Sequence, residues 1–196
     1  MAGELLLGRG AFEGVSLREV AAAAGQRNHH AVQYHFGSRD GLVSAIFHHR
    51  MMQMERRRGE MLAEAERAGK LGDARVLMEI IFLPQLDLPG QQGNHSYANF
   101  LCQYLLRNEG TRFGDFGAAL PTNIANVLGL LRERLRSLPE SIAQRRLVTA
   151  CFMFLNMLSA YSDDRCRASD DESFMDAVND TLDQIVIATT MPLNRH

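Results

Sequence analysis

The sequence predicts an all-α protein built in two parts, and its periodicity, its lack of strand patterning and its punctuation all point that way. Apolar residues recur at i, i+3, i+4 and i+7 through most of the chain, the signature of helices with one buried face. No stretch alternates apolar and polar residues as a half-buried strand does. Glycine and proline gather chiefly between the periodic segments, as connections should.

The first part, residues 1–47, is read as short helices. Glu4-Leu5-Leu6-Leu7 is a helical stub before Gly10. Ser16-Leu17-Arg18-Glu19 is a capping box, in which the serine hydroxyl takes an orphan amide and the glutamate returns the bond. Leu17, Val20, Ala21 and Ala24 follow on one narrow apolar face, whose alanines let a second helix approach. Gly25 is placed to end this helix in the left-handed conformation. A second short helix is expected over His29 to His35. Gly37-Ser38 closes it, and Ser38 is placed to cap a third helix from Arg39.

The second part, residues 48–196, is read as a helical bundle. The third helix carries Leu42, Val43, Ile46 and Phe47 and continues through Met51, Met54, Met61 and Leu62, with Glu55-Arg56-Arg57-Arg58 read as its polar far side. A helix is expected from Ala74 to Leu83, stopped by Pro84, and 84–94 reads as a loop. Tyr97, Phe100, Leu101, Tyr104 and Leu105 mark the next helix, and a loop follows from Gly110 to Gly117. Leu128, Leu131, Leu135 and Leu138 mark another, ended by Pro139. The segment from Ile142 to Tyr161 is apolar over most of its circumference in its second half, and a last stripe runs through Phe174, Val178, Leu182, Ile185, Val186 and Thr189.

Composition sets the bounds. The chain has 196 residues, 46% of them hydrophobic and 22% charged, an ordinary globular balance. No apolar run approaches the ~18 residues that cross a bilayer, and the N-terminus has no export-signal pattern. A cytoplasmic location, with no membrane partner, is the expectation. The net charge of -2 lacks the basic surplus of general polyanion binders. An acidic second part can mask a DNA-binding face. Cys102, Cys151 and Cys166 are odd in number and lack a CxxC pair, which argues against a disulfide framework or a zinc module. Asp163, Asp164, Asp170, Asp171 and Glu172 read as a solvated connection. Neither a metal nor another cofactor is expected.

Two short helices joined by a glycine turn, ahead of a capped long helix, have the layout of a helix-turn-helix: the first braces the second, whose exposed side chains can enter a major groove. Gly14-Val15-Ser16-Leu17-Arg18-Glu19-Val20-Ala21-Ala22-Ala23-Ala24-Gly25, followed by Tyr34-His35-Phe36-Gly37-Ser38-Arg39-Asp40-Gly41-Leu42, resembles the DNA-binding signature of the TetR family of transcriptional regulators. The resemblance covers roughly residues 2 to 50. It implies an N-terminal helix-turn-helix domain and a helical-bundle domain that binds a ligand and dimerises.

It also implies roles. Ser16 caps its helix and bonds a phosphate. Tyr34 and His35 are phosphate-positioning groups, although Tyr34 also suits a core and His35 a packing or capping role. Arg39 takes the family's basic position on the backbone. Arg27, Asn28, His29, His30 and Gln33 carry donors and acceptors suited to base edges. His29 and His30 point apart on a short helix with no carboxylate beside them, which disfavours a metal. The turn Gly25-Gln26-Arg27-Asn28 is one residue longer than the family's commonest form. The stub before Gly10 is shorter than the family's first helix, which implies either coding sequence upstream of Met1, the favoured reading, or a missing buttress.

For the second part the resemblance implies a homodimer through the last two helices and a near-palindromic double-stranded operator. It further implies a small effector, read as apolar or aromatic. Met78, Phe82, Tyr97, Asn99, Phe100, Gln103, Tyr104 and Phe152 are candidate pocket residues, each of which also suits a core. Ten methionines favour a deformable interior. The expected function is a regulator, a repressor by family tendency, released by its ligand. The alternative is a helical ligand-binding protein with impaired DNA binding. An enzyme is disfavoured: there is no Gly-rich phosphate loop, metal-ligand spacing or nucleophile elbow, and no catalytic residue is assigned.

Overall fold

The computed structural model describes residues 2–9, 14–26, 29–88, 95–107, 120–162 and 173–193. Among these the chain is all-helical, with nine α-helices and no strand. No described helix is long and apolar enough to cross a membrane.

The N-terminal helices follow their caps. α1 is Ala2–Arg9 and α2 is Leu17–Ala23, opened by the full Ser16–Glu19 capping box. Gly25 stands at φ 68°, and the amide of Gln26 reaches back to the carbonyl of Ala21 at 2.9 Å, so α2 ends as its sequence predicts. α3 is His29–Phe36. α4, Arg39–Arg67, starts where Ser38 Oγ accepts the amide of Gly41 at 3.0 Å. It runs unbroken for 29 residues, about 43 Å at 1.5 Å per residue. The boundary drawn from sequence at 47/48 therefore falls inside one continuous helix.

The remaining helices are α5 (Ala74–Phe82), α6 (Ser96–Arg107), α7 (Thr122–Arg134), α8 (Glu140–Ser162) and α9 (Phe174–Thr190). A short 3-10 turn at Leu83–Gln85 follows α5, with Pro84 inside it. The core joins all of them, with Phe47 stacked on Tyr104 and Phe82 on Phe154, each pair at 4.9 Å between ring centroids. α8 and α9 lie side by side, and the Arg146 guanidinium donates to the carbonyls of Thr189 and Met191 at the end of α9. Arg75 ties α5 to α9 through Asp183 and Asn179. The loop expected at 110–117, most of that at 84–94 and the acidic stretch at 163–172 lie outside the described residues.

α1 is eight residues long. It packs along α6 and also touches α2 and α4, with Leu7 fully buried. Glu4 is 1% exposed and forms a two-pronged pair with Arg50 of α4, Nε to Oε2 at 2.6 Å and Nη2 to Oε1 at 3.1 Å. Ser96, the first residue of α6, donates to the same carboxylate at 2.5 Å. The N-terminal helices and the bundle are thus joined by a buried polar clasp.

Candidate functional site

Two places combine exposed or unsatisfied chemistry with a defined scaffold. The first is the face formed by α2, α3 and the start of α4. Val32 is buried and seats α3, Gln33 and Tyr34 project outward, and His35 is exposed where it borders a groove on the α1 side of the helix. Tyr34 is 86% exposed and meets His35 edge-on, so Tyr34 takes no part in a core. Ser16 is exposed as a cap, and its partnership with Glu19 holds that carboxylate below its ordinary range. Ser16, Ser38 and Arg39 share a shallow depression of about 400 Å³ where the N-termini of α2 and α4 converge; Asp40 also lines it. His29 and His30 are the first two residues of α3, and Arg27 and Asn28 lie outside the described residues.

Gly41 fixes the spacing of this face. A side-chain carbon there would run into the carbonyl oxygen of Phe36, which is backbone and has nowhere to retreat. Only glycine lets α4 begin so close beneath the end of α3. Behind the face an apolar groove of about 670 Å³ opens between α1, α2, α3 and α4, lined by Val20, Val32, Phe36, Leu42 and Ile46.

The second place lies inside the bundle. A cavity of about 40 Å³ is bounded by Met51, Phe82, Leu101, Leu128 and Leu155, with Arg58 and Gln85 as its strongly polar lining. Arg58 is 1% exposed, which corrects its reading as part of the polar far side of α4. Its helical neighbours Arg56 and Arg57 do face outward. Burial, opposed by Tyr97 and Glu55, pulls the guanidinium below its ordinary value, yet an arginine keeps its charge. The Tyr97 hydroxyl is fully buried with no hydrogen-bond partner among the described residues, and desolvation raises its titration strongly.

Of the sequence-derived pocket residues, Phe82 lines this cavity. Met78, Tyr97, Phe100 and Tyr104 are buried in the common core. Asn99 is half-buried where α6 meets Gly8 of α1, Gln103 is half-buried, and Phe152 is half-buried while its neighbour Phe154 is sealed in. Sequence reasoning missed Arg58 and Gln85. The signal for Arg58 was present: it continues the spacing of Val43, Phe47, Met51 and Met54, i, i+4, i+8, i+11 and i+15. The adjacent charge run hid it.

Burial also raises the thiol of Cys102 to about 11 and that of Cys151 to about 12, so both stay protonated at neutral pH. Cys166 lies outside the described residues. No group of three or more metal-ligating side chains occurs among the described residues. No family model, curated protein or solved structure matches the chain.

Proposed function

We propose that the chain is a DNA-binding transcriptional regulator of the TetR type, a repressor released from its operator by a small ligand. The observation that supports it most is the outward face of α3: an aromatic side chain that is 86% exposed has no packing role, and it stands beside His35 and Gln33 on a helix seated by buried Val32. Phosphate contacts from Ser16, Tyr34, His35 and Arg39 would set the register, and Gln33 with Arg27, Asn28, His29 and His30 would read base edges. The homodimer would use α8 and α9, where Ile187 is 65% exposed and Phe152 half-buried. Two recognition helices would then sit about 34 Å apart on a near-palindromic operator.

α4 supplies the coupling. It carries Arg39 at the DNA end, Arg50 in the clasp and Arg58 at the cavity. A ligand that prefers one setting of this helix shifts the spacing of the two α3 helices, and only its differential affinity for the two states drives the shift.

The test is fluorescence anisotropy on the chain's own upstream DNA against random DNA of equal length and salt. Specific binding at least about a thousandfold tighter is expected, and Tyr34→Ala should weaken it on every sequence alike. Equal affinity for both DNAs sinks the proposal. A second reading, a helical ligand-binding protein with impaired DNA binding, is favoured by the open apolar groove behind α3, which leaves that helix less firmly backed. The same measurement separates the two.

A further inference from the structure

The interior cavity holds a charge whose partners are poor. Arg58 Nη1 donates to the Met51 carbonyl at 3.5 Å and lies 3.8 Å from the Met51 sulfur; Nη2 lies 3.5 Å from the Met54 sulfur. Thioethers are weak acceptors. Nε has no hydrogen-bond partner among the described residues. Glu55 pairs with Nη1 at 3.6 Å, a long contact from a carboxylate that also serves α7. Glu55 Oε2 accepts the amide of Asn123 at 2.9 Å and Oε1 that of Ile124 at 3.2 Å, so it closes the first turn of α7, which begins at Pro121 without a side-chain cap of its own.

The other polar groups of the cavity do not fill this gap. Cys151 lines the wall as a protonated thiol. Gln85 is 6% exposed, and its Oε1 also lacks a hydrogen-bond partner among the described residues. The remaining lining is apolar. A buried guanidinium is tolerated where close ion-pair geometry and further hydrogen bonds satisfy its donors, and an anion in the cavity would supply them. The space beside it is small, and two methionines can yield to admit more.

We propose that this cavity binds a small aliphatic monocarboxylate, with Arg58 as the anchor for the carboxylate and the apolar wall around the tail. Gln85 Oε1 is placed to accept a hydrogen bond from a hydroxyl on the ligand, so a hydroxy acid binds tighter than its parent. The role of this anion as an effector rests on the regulator reading; its binding does not.

The experiment is isothermal titration of the full chain, without DNA, with butyrate, 3-hydroxybutyrate, the neutral isostere butyramide, and chloride. Butyrate is expected to bind at least about tenfold tighter than butyramide, the worth of one charge-assisted hydrogen bond, with 3-hydroxybutyrate tighter still. Arg58→Met should abolish the discrimination, and Arg58→Lys, which keeps the charge on a gentler substitution, should retain it at lower affinity. Equal binding of butyrate and butyramide, binding of neither, or discrimination that survives Arg58→Met overturns the assignment. So does competition by chloride at equal strength, which marks an inorganic anion site only. Anisotropy on upstream DNA with and without butyrate is separate: butyrate that binds and leaves DNA affinity unchanged upholds the site and overturns its effector role.

Discussion

Arg50 and Arg58 lie on the same buried stripe of α4, two turns or about 12 Å apart, and they solve the same problem differently. Both guanidiniums are removed from water. Arg50 closes its shell completely enough to act as a joint: two prongs into Glu4, a third bond from Nη1 to Gln53 Oε1 at 2.9 Å, and Ser96 completing the carboxylate. Arg58 makes do with a carbonyl, two sulfurs and a glutamate that serves another helix. A buried charge that is fully bonded specifies how elements meet. One that is partly bonded leaves donors that a further acceptor can complete.

The largest effect expected from this contrast comes from breaking the complete shell. Glu4→Ala leaves Arg50 buried without its carboxylate partner, at a cost of about 3–5 kcal/mol, read by urea denaturation. The loss should also loosen α1 from α6, visible as faster amide exchange across Ala2–Arg9. A cost below about 1 kcal/mol would show that water reaches Arg50 readily and that the clasp is not a joint. Arg58→Met moves the other way. Filling the site with an apolar side chain of similar length should leave stability unchanged or raise it, because Glu55 keeps its two amide partners on α7. Strong destabilisation there would mean that Glu55 and the methionines already satisfy Arg58.

A third change tests the exposed face. Gly41→Ala must displace either α3 or the first turn of α4, because the obstructing atom is the carbonyl of Phe36. The overpacking cost is about 1–3 kcal/mol. DNA affinity should fall further than stability, since the displaced helix is the one proposed to read the groove. Equal losses in both would place the glycine's role in folding alone.

These residues also mark how far the sequence could be read. The capping box at Ser16, the left-handed Gly25 and the Ser38 cap were legible because each is a local bargain among neighbours within a few positions. The helices of the bundle were legible from their period. The clasp was not, because Glu4, Arg50 and Ser96 meet across 46 and 92 residues of chain and nothing local marks any of them as buried. The pocket candidates suffered from the opposite problem. Tyr97, Phe100 and Tyr104 share one face of α6, and period alone does not separate a side chain that packs from one that lines a space. Arg58 fell between these cases: its period placed it inside and its charge argued it out, and the conflict itself was the signal.

The smallest effect belongs to the cap of α2. Ser16→Ala removes the hydroxyl that accepts the amide of Glu19 at 3.2 Å and donates to its carboxylate at 2.8 Å, at about 1 kcal/mol. Part of that loss depends on pH. The folded state holds Glu19 below its ordinary value through the Ser16 amide first and the Ser16 hydroxyl second. The contribution of the carboxylate is therefore complete above the ordinary glutamate range and fades as pH falls through the lowered folded value. The stability gap between wild type and Ser16→Ala should narrow over that acidic window, then level off at the value of the amide-to-hydroxyl bond, which does not titrate. A gap that widens on acidification would reverse the sign and show that protonated Glu19 is the better partner. DNA affinity supplies the contrast with Arg50: Ser16→Ala should weaken DNA binding even at neutral pH, where the fold is barely disturbed, because this serine stands on the proposed interface while the clasp stands behind it.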